Sequence, residues 1–175
     1  MTRGIILLIG WMTIFGADQK GLATVETTVA KITISTKKVG SYETGCAAAL
    51  CKVYVRIENV TEAPLDPDLS KAYLRTDGGK SLRSMTADEG TRALAEALTS
   101  GKLGFAAGIF GVHDPQQVER QFGGRYSKQW LAPGPIPEKS YREGILFFEG
   151  SGKAKPSGLR LFIPGVFAES VELVW

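Results

Sequence analysis

The chain has 175 residues, of which 43% are hydrophobic and 22% charged, and its net charge is +3. That length suits one globular domain able to bury a core of its own. The charge is too mild for a nucleic-acid binder, which carries a basic stripe or patch. The 21 Gly and 8 Pro point to many turns, as in an all-β domain.

The chain opens with Arg3, an uncharged and mostly apolar run from Gly4 to Gly16, and the polar residues Asp18, Gln19 and Lys20. Gly21-Leu22-Ala23 then offers a small-x-small cleavage site. These are the three regions of a secretory signal. The pattern predicts removal of residues 1–23 and a mature domain over 24–175. Loss of Arg3, Lys20 and Asp18 leaves that domain at about +2. The apolar run is too short for a hydrocarbon layer of about 30 Å, and no Cys follows it to carry a lipid anchor. The competing reading is a first buried strand or an uncleaved anchor. A cleaved signal places the protein in the periplasm or outside the cell.

Val25, Thr27 and Val29 fall on one alternation, and Ile32 and Ile34 on the other. Thr24 to Thr36 is therefore either one strand bent near Ala30 or two short ones. Leu50 to Val60 alternates cleanly, with Cys51, Val53, Val55 and Ile57 on one face and Lys52, Tyr54, Arg56 and Glu58 on the other. Asn59-Val60-Thr61 matches the glycosylation triplet, but at a strand end it reads as turn chemistry. Lys71 to Arg75 and Ser81 to Met85 flank Asp77-Gly78-Gly79, a hairpin signal.

The period then changes. Thr86 and Glu89 form a capping box, followed by Ala93, Leu94, Ala97 and Leu98 at helical spacing and a stop at Ser100-Gly101. Asp114-Pro115 opens a second helix, predicted to end at Gly123-Gly124. Residues 86–124 thus read as a two-helix insertion in a β domain. Arg142 to Glu149 and Leu159 to Ile163 return to strand character and read as a closing hairpin. The first of these is apolar on both alternations at Ile145 to Phe148, so it belongs at the centre of the domain. Val166 to Trp175 reads as the last strand. The whole is mainly β, an antiparallel sandwich of about seven or eight strands with one helical excursion.

The segments Val55-x-Ile57-x-Asn59-x-Thr61-x-x-Pro64, Pro133-Gly134, Gly144-x-Leu146-x-Phe148-Glu149 and Leu159-x-Leu161 occur in that order. Over residues 28–165 this resembles the immunoglobulin-like, telokin-like extracytoplasmic domains of bacterial envelope proteins and lipoproteins. The resemblance implies an Ig-like sandwich outside the cytoplasm and no catalysis, because such folds host many functions. The insertion at 86–124 and the missing lipid-anchor cysteine depart from the family.

The chemistry-bearing residues are sparse. His113 is the one histidine, and Asp114 beside it is explained by helix capping. Gly79-Lys80-Ser81 lacks the earlier glycine of a phosphate loop, where Leu74 stands. No nucleophile elbow is present. Cys46 and Cys51 lack redox-pair spacing, and a zinc site needs more ligands than these two and His113 supply. In an exported chain the two cysteines can oxidise to each other; two buried thiols are the alternative. Asp66 and Asp68 lack the distal Glu of a calcium loop. No metal or cofactor is expected.

Two stretches suggest contact surfaces. Leu103 to Val112 is uncharged, with Gly104 and Gly108 spaced for close packing and Leu103, Phe105, Ile109 and Phe110 around them. It covers one end of the sandwich or forms a patch for an envelope protein or the membrane surface. Arg125, Tyr126 and Trp130, with Lys128, Tyr141 and Arg142, interleave bases and aromatics around the Pro133–Pro137 loop. They line a groove for an anionic or sugar ligand, or are strand-edge residues with snorkelling stems. Together these features suggest an exported, non-enzymatic accessory protein of the bacterial cell envelope, acting by protein–protein contact. The alternative is a small-ligand carrier or inhibitor with a pocket between the sandwich and the insertion.

Overall fold

The computed structural model describes residues 13–15, 22–46, 49–99, 114–152, 158–167 and 171–172. The strands are β1 (Thr13–Phe15), β2 (Leu22–Glu26), β3 (Ala30–Ser35), β4 (Gly45–Cys46), β5 (Leu50–Asn59), β6 (Tyr73–Arg75), β7 (Ser81–Met85), β8 (Tyr141–Glu149), β9 (Arg160–Phe162) and β10 (Val171–Glu172). A short 3-10 turn, Leu69–Lys71, precedes β6. Helices α1 (Ala87–Thr99) and α2 (Pro115–Gln129) lie between β7 and β8.

Strand pairing is antiparallel and runs β1-β2-β3-β5-β8-β7-β6-β9-β10, with β4 on β5. β7 turns the sheet over. Its Ser81, Leu82 and Arg83 pair with β6, whereas Ser84 and Met85 pair with β8. The sheet therefore curls on itself, and one cluster joins Ile32, Ile34, Val53 and Val55 to Leu74, Leu82 and Leu161 across the interior. The result is a mainly β, sandwich-like fold with a helical insertion.

β8 occupies the middle. Leu146 and Phe148 enter the sandwich core, while Ile145 and Phe147 pack with Tyr54 and Tyr126 beneath the helices. Burying a Phe contributes roughly 1.5–3 kcal/mol, so any arrangement leaving one face of β8 in water forfeits several such terms. This is also why β8 and β9 do not form the expected hairpin. β8 pairs with β5 and β7, and β9 with β6 and β10. A two-stranded hairpin covers neither face of β8; two sheet neighbours and a helical layer cover both.

Other expectations resolve in detail. Thr24 to Thr36 is two strands, β2 and β3, joined by a turn in which Thr27 Oγ1 accepts from Val29 N and Ala30 N at 3.3 and 3.0 Å. Cleavage after Ala23 would remove β1 and the first two residues of β2. The predicted strand from Lys71 begins only at Tyr73. The second helix does not stop at Gly123-Gly124 but continues to Gln129. Gly costs about 1 kcal/mol in a helix, and this is offset on both sides. Phe122 and Tyr126, four residues apart, anchor the helix on the sheet, and Val118 packs with Ala95 and Leu98 of α1 on its other side. Val166 and Phe167 are buried in a turn before β10, and residues 173–175 lie outside the described ones.

Asn59 ends β5 as a buried polar hub, only 1% exposed. Its Nδ2 donates to Ala63 O, Ile136 O and Pro137 O at 2.8, 3.1 and 3.1 Å. Its Oδ1 accepts from Thr61 N and Thr61 Oγ1 at 2.9 and 2.8 Å. The glycosylation triplet is thus turn chemistry, tying the loop after β5 to the loop before β8. Asn59→Ala strands several of these groups in the interior, where each unsatisfied group costs about 1–3 kcal/mol. Urea unfolding should show a loss of at least about 2 kcal/mol; a loss within error would contradict the hub.

Candidate functional site

β7 passes directly into α1, and this junction forms one wall of a cavity. Thr86 N donates to Glu89 Oε2 at 2.8 Å, and Glu89 N donates to Thr86 Oγ1 at 3.2 Å, the reciprocal bonds of a capping box. Arg83, three residues earlier, lies between two carboxylates. Its Nε donates to Glu149 Oε1 at 2.8 Å and its guanidinium to Glu89 Oε1 at 3.1 Å. The backbone N–H of Thr86, and then Arg83, hold the Glu89 carboxyl below the usual carboxylate range.

The opposite wall is the chain leaving α2. Leu131 N donates to Ile145 O at 2.9 Å, and Trp130 bridges Ile145 in parallel fashion, so this segment lies across β8. The close approach needs Gly144, where a Cβ would sit 2.7 Å from Leu131 N and 2.8 Å from Gln129 O. The Pro/Gly loop that follows wraps a guanidinium. Arg142 donates to the carbonyls of Ala132, Gly134 and Pro135 at 3.2, 3.3 and 3.1 Å.

Between the two walls lies a cavity of about 210 Å³. Leu69, Met85, Trp130, Leu131, Pro133 and Leu146 supply its apolar lining, and Ser70, Arg83, Ser84, Thr86 and Glu89 its polar edge. Shallower depressions flank α1. One, of about 410 Å³, shares Arg83 and Glu89 with the cavity and adds Arg92, Glu96 and Glu149. The other, of about 320 Å³, is lined by Asp88, Thr91, Arg92, Glu119 and Gly123. The cavity can take an uncharged apolar group, because the charges on its edge already compensate one another.

Of the residues singled out in the sequence, Trp130 reaches this cavity. Arg125 is ion-paired with Glu43 on the outside of α2. Tyr126 is 3% exposed, with its ring 5.0 Å from that of Phe147 and the Lys52 amine 5.4 Å from its centroid. Burial raises its hydroxyl pKa to about 12. Tyr141 lies under the Arg56 guanidinium, 3.8 Å from the ring centroid. Arg142 shapes the Pro/Gly loop. Leu103, Phe105, Ile109, Phe110 and His113 lie outside the described residues. Cys46 and Cys51 are register partners on β4 and β5 and form a disulfide with Cα atoms 4.0 Å apart. Among the described residues, no three His, Cys, Asp or Glu side chains are placed to hold a metal ion, and no helix is long and apolar enough to cross a membrane. Leu69, Arg83 and Leu146 also line the cavity, and no local signal in the sequence marks them for it. The capping box and the Pro/Gly loop were both visible, but nothing local says that they face each other.

No family model matches the chain, and no curated protein matches it. Two solved structures are similar in part. One is the yjhA protein from Bacillus subtilis, 13% identical, with a TM-score of 0.38 over 79% of this chain and 74% of that one. The other is ycdA from Bacillus subtilis subsp. subtilis strain 168, described as a candidate lipoprotein. It is 14% identical, with a TM-score of 0.39 over 89% of this chain and 38% of that one. Likeness at this level identifies neither a shared family nor a shared activity.

Because the Glu89 carboxyl is held low in the folded chain, its contribution to stability is present above the unfolded carboxylate range, near pH 4.3, and is lost as pH falls through the folded value. Thermal unfolding from about pH 7 to about pH 3 should therefore show a Tm advantage of wild type over Glu89→Gln that shrinks on acidification. An advantage independent of pH would rule out the ionised cap as its source.

Proposed function

We propose that this chain is an exported, non-enzymatic accessory protein of the bacterial cell envelope, and that it works by holding an apolar side chain of a protein partner in the cavity between sheet and helices. Export is supported by the charged start, apolar run and small-x-small site of residues 1–23, and by the Cys46–Cys51 disulfide, which persists in oxidising compartments.

The cavity carries the reading, and its size selects the occupant. Small-molecule sites run from about 300 Å³ upward, whereas an apolar void of about 150 Å³ admits a single benzene ring. At about 210 Å³ the cavity holds one ring or one branched chain and little more. Interfaces are commonly anchored by one large side chain seated in a preformed pocket while the surrounding contacts exclude water. The carrier alternative is left with single-ring ligands.

The test is capture of partners by tagged protein from detergent-solubilised envelope after mild crosslinking. Ser70 and Pro133 stand exposed at the cavity mouth, so Ser70→Trp and Pro133→Trp plug it without touching the core. One near-stoichiometric protein held by wild type and lost from both plugged variants, with circular dichroism unchanged, is the expected result. Equal capture by plugged and unplugged chains would rule out the cavity as the contact. Chain found wholly in the cytoplasmic fraction would rule out export.

A further inference from the structure

One side chain of the cavity wall carries chemistry that packing alone does not require. The chain has three methionines, Met1, Met12 and Met85. The first two fall in the expected signal, so Met85 is the one thioether of the domain over 24–175. Both cysteines are tied up in the Cys46–Cys51 disulfide. Met85 ends β7 opposite Phe147 and is 7% exposed. It lines the cavity and also the depression that carries Arg92 and Glu96. Leucine would fill a similar volume at little cost, but it has no sulfur to oxidise. A space of about 210 Å³ is several times the roughly 30 Å³ share of one water molecule. An oxidant of two oxygen atoms therefore reaches the sulfur through the cavity.

We propose that Met85 is an oxidation site that controls occupancy of the cavity, with peroxide as the oxidant. The proposal rests on the contact reading above and adds its regulation. The thioether sulfur attacks one peroxide oxygen, and the O–O bond breaks. The sulfur gives up two electrons and keeps that oxygen as a sulfoxide. The other oxygen leaves as hydroxide, takes the proton of the transferred oxygen and ends as water. A flexible apolar side chain thereby becomes a polar one. Three donors on the cavity edge already bond elsewhere. Ser70 Oγ donates to Asp68 Oδ1 at 2.6 Å, Ser84 Oγ to Ser70 O at 2.9 Å, and Arg83 to Glu89 and Glu149. Leu69, Leu131, Pro133 and Leu146 bring no side-chain donor to the wall. While the cavity is open to solvent, water bonds the new oxygen. An apolar occupant expels that water and strands the oxygen, at the cost of an unsatisfied polar group. The oxidised chain therefore releases apolar groups that the reduced chain holds, and sulfoxide reductases reverse the change.

The probe is toluene, a single apolar ring, titrated calorimetrically into the purified chain before and after hydrogen peroxide. Trypsin cuts after Arg83 and Arg92, so mass spectrometry of residues 84–92 shows whether Met85 has gained one oxygen. The oxidised chain should bind toluene about tenfold or more weakly, the loss expected when an unpaired polar group is covered, with circular dichroism unchanged. Methionine sulfoxide reductases should restore the affinity. Met85→Gln should bind as weakly as the oxidised chain without any peroxide, and Met85→Leu should bind like reduced wild type and ignore peroxide. Oxidation of Met85 with toluene affinity unchanged overturns the control and leaves the cavity contact standing. A Met85 left untouched by peroxide that fully oxidises free methionine, or an oxidation that unfolds the chain, overturns the control as well. Failure of the reduced chain to bind toluene overturns both.

Discussion

The arrangement depends on one strand that must be covered on both faces. β8 carries apolar residues at successive positions from Ile145 to Phe148, and a strand sends successive side chains to opposite sides. The curled sheet covers Leu146 and Phe148, and the helices cover Ile145 and Phe147. Neither layer is dispensable. Without β6, β7 and β9 the sandwich core is open on one side, and without α1 and α2 the outer face of β8 is a hydrophobic patch in water.

The seam follows from that double coverage. A helical layer laid on a sheet must begin and end somewhere, and here both ends fall over β8. α1 starts where β7 leaves β8, and the chain leaving α2 comes down on β8 at Gly144, a position that only a residue without Cβ can occupy. The two ends do not close on each other, and the space between them is the cavity. Its edges are held rigidly for local reasons, by the capping box with Arg83 on one side and by the three carbonyls around Arg142 on the other. A preformed pocket of this kind loses little entropy on binding, which favours an anchor contact of modest area.

Asn59 shows how a polar group serves the same end. Its side chain joins the loop after β5 to the loop before β8 and so fixes where β8 enters the sheet. Its triplet with Thr61 looks like a modification site only while its burial is unknown. Tyr126 is similar. In sequence it lies among bases and aromatics and suggests a groove, whereas in the fold it is a core residue against Phe147. Whether a residue binds a ligand or packs a core depends on what lies opposite it.

The sequence by itself determined the elements whose signals are local. These are the alternation of β5 and the apolar run of β8, which are legible in the order of the side chains, and the Asp77-Gly78-Gly79 hairpin, the Thr86–Glu89 cap and the Asp114-Pro115 helix start, which are settled by bonds within a few residues. It also determined that β8 is central, because its run from Ile145 to Phe148 is apolar on both alternations and has no face there to give to water. Only the tertiary structure decided that β8 and β9 part company, that α2 runs on through Gly123-Gly124, and that Arg83, Leu69 and Leu146 meet Trp130 around one cavity. Those outcomes depend on burial shared between residues far apart in the chain. Periodicity reports how much of a segment must be hidden, and packing alone chooses what hides it.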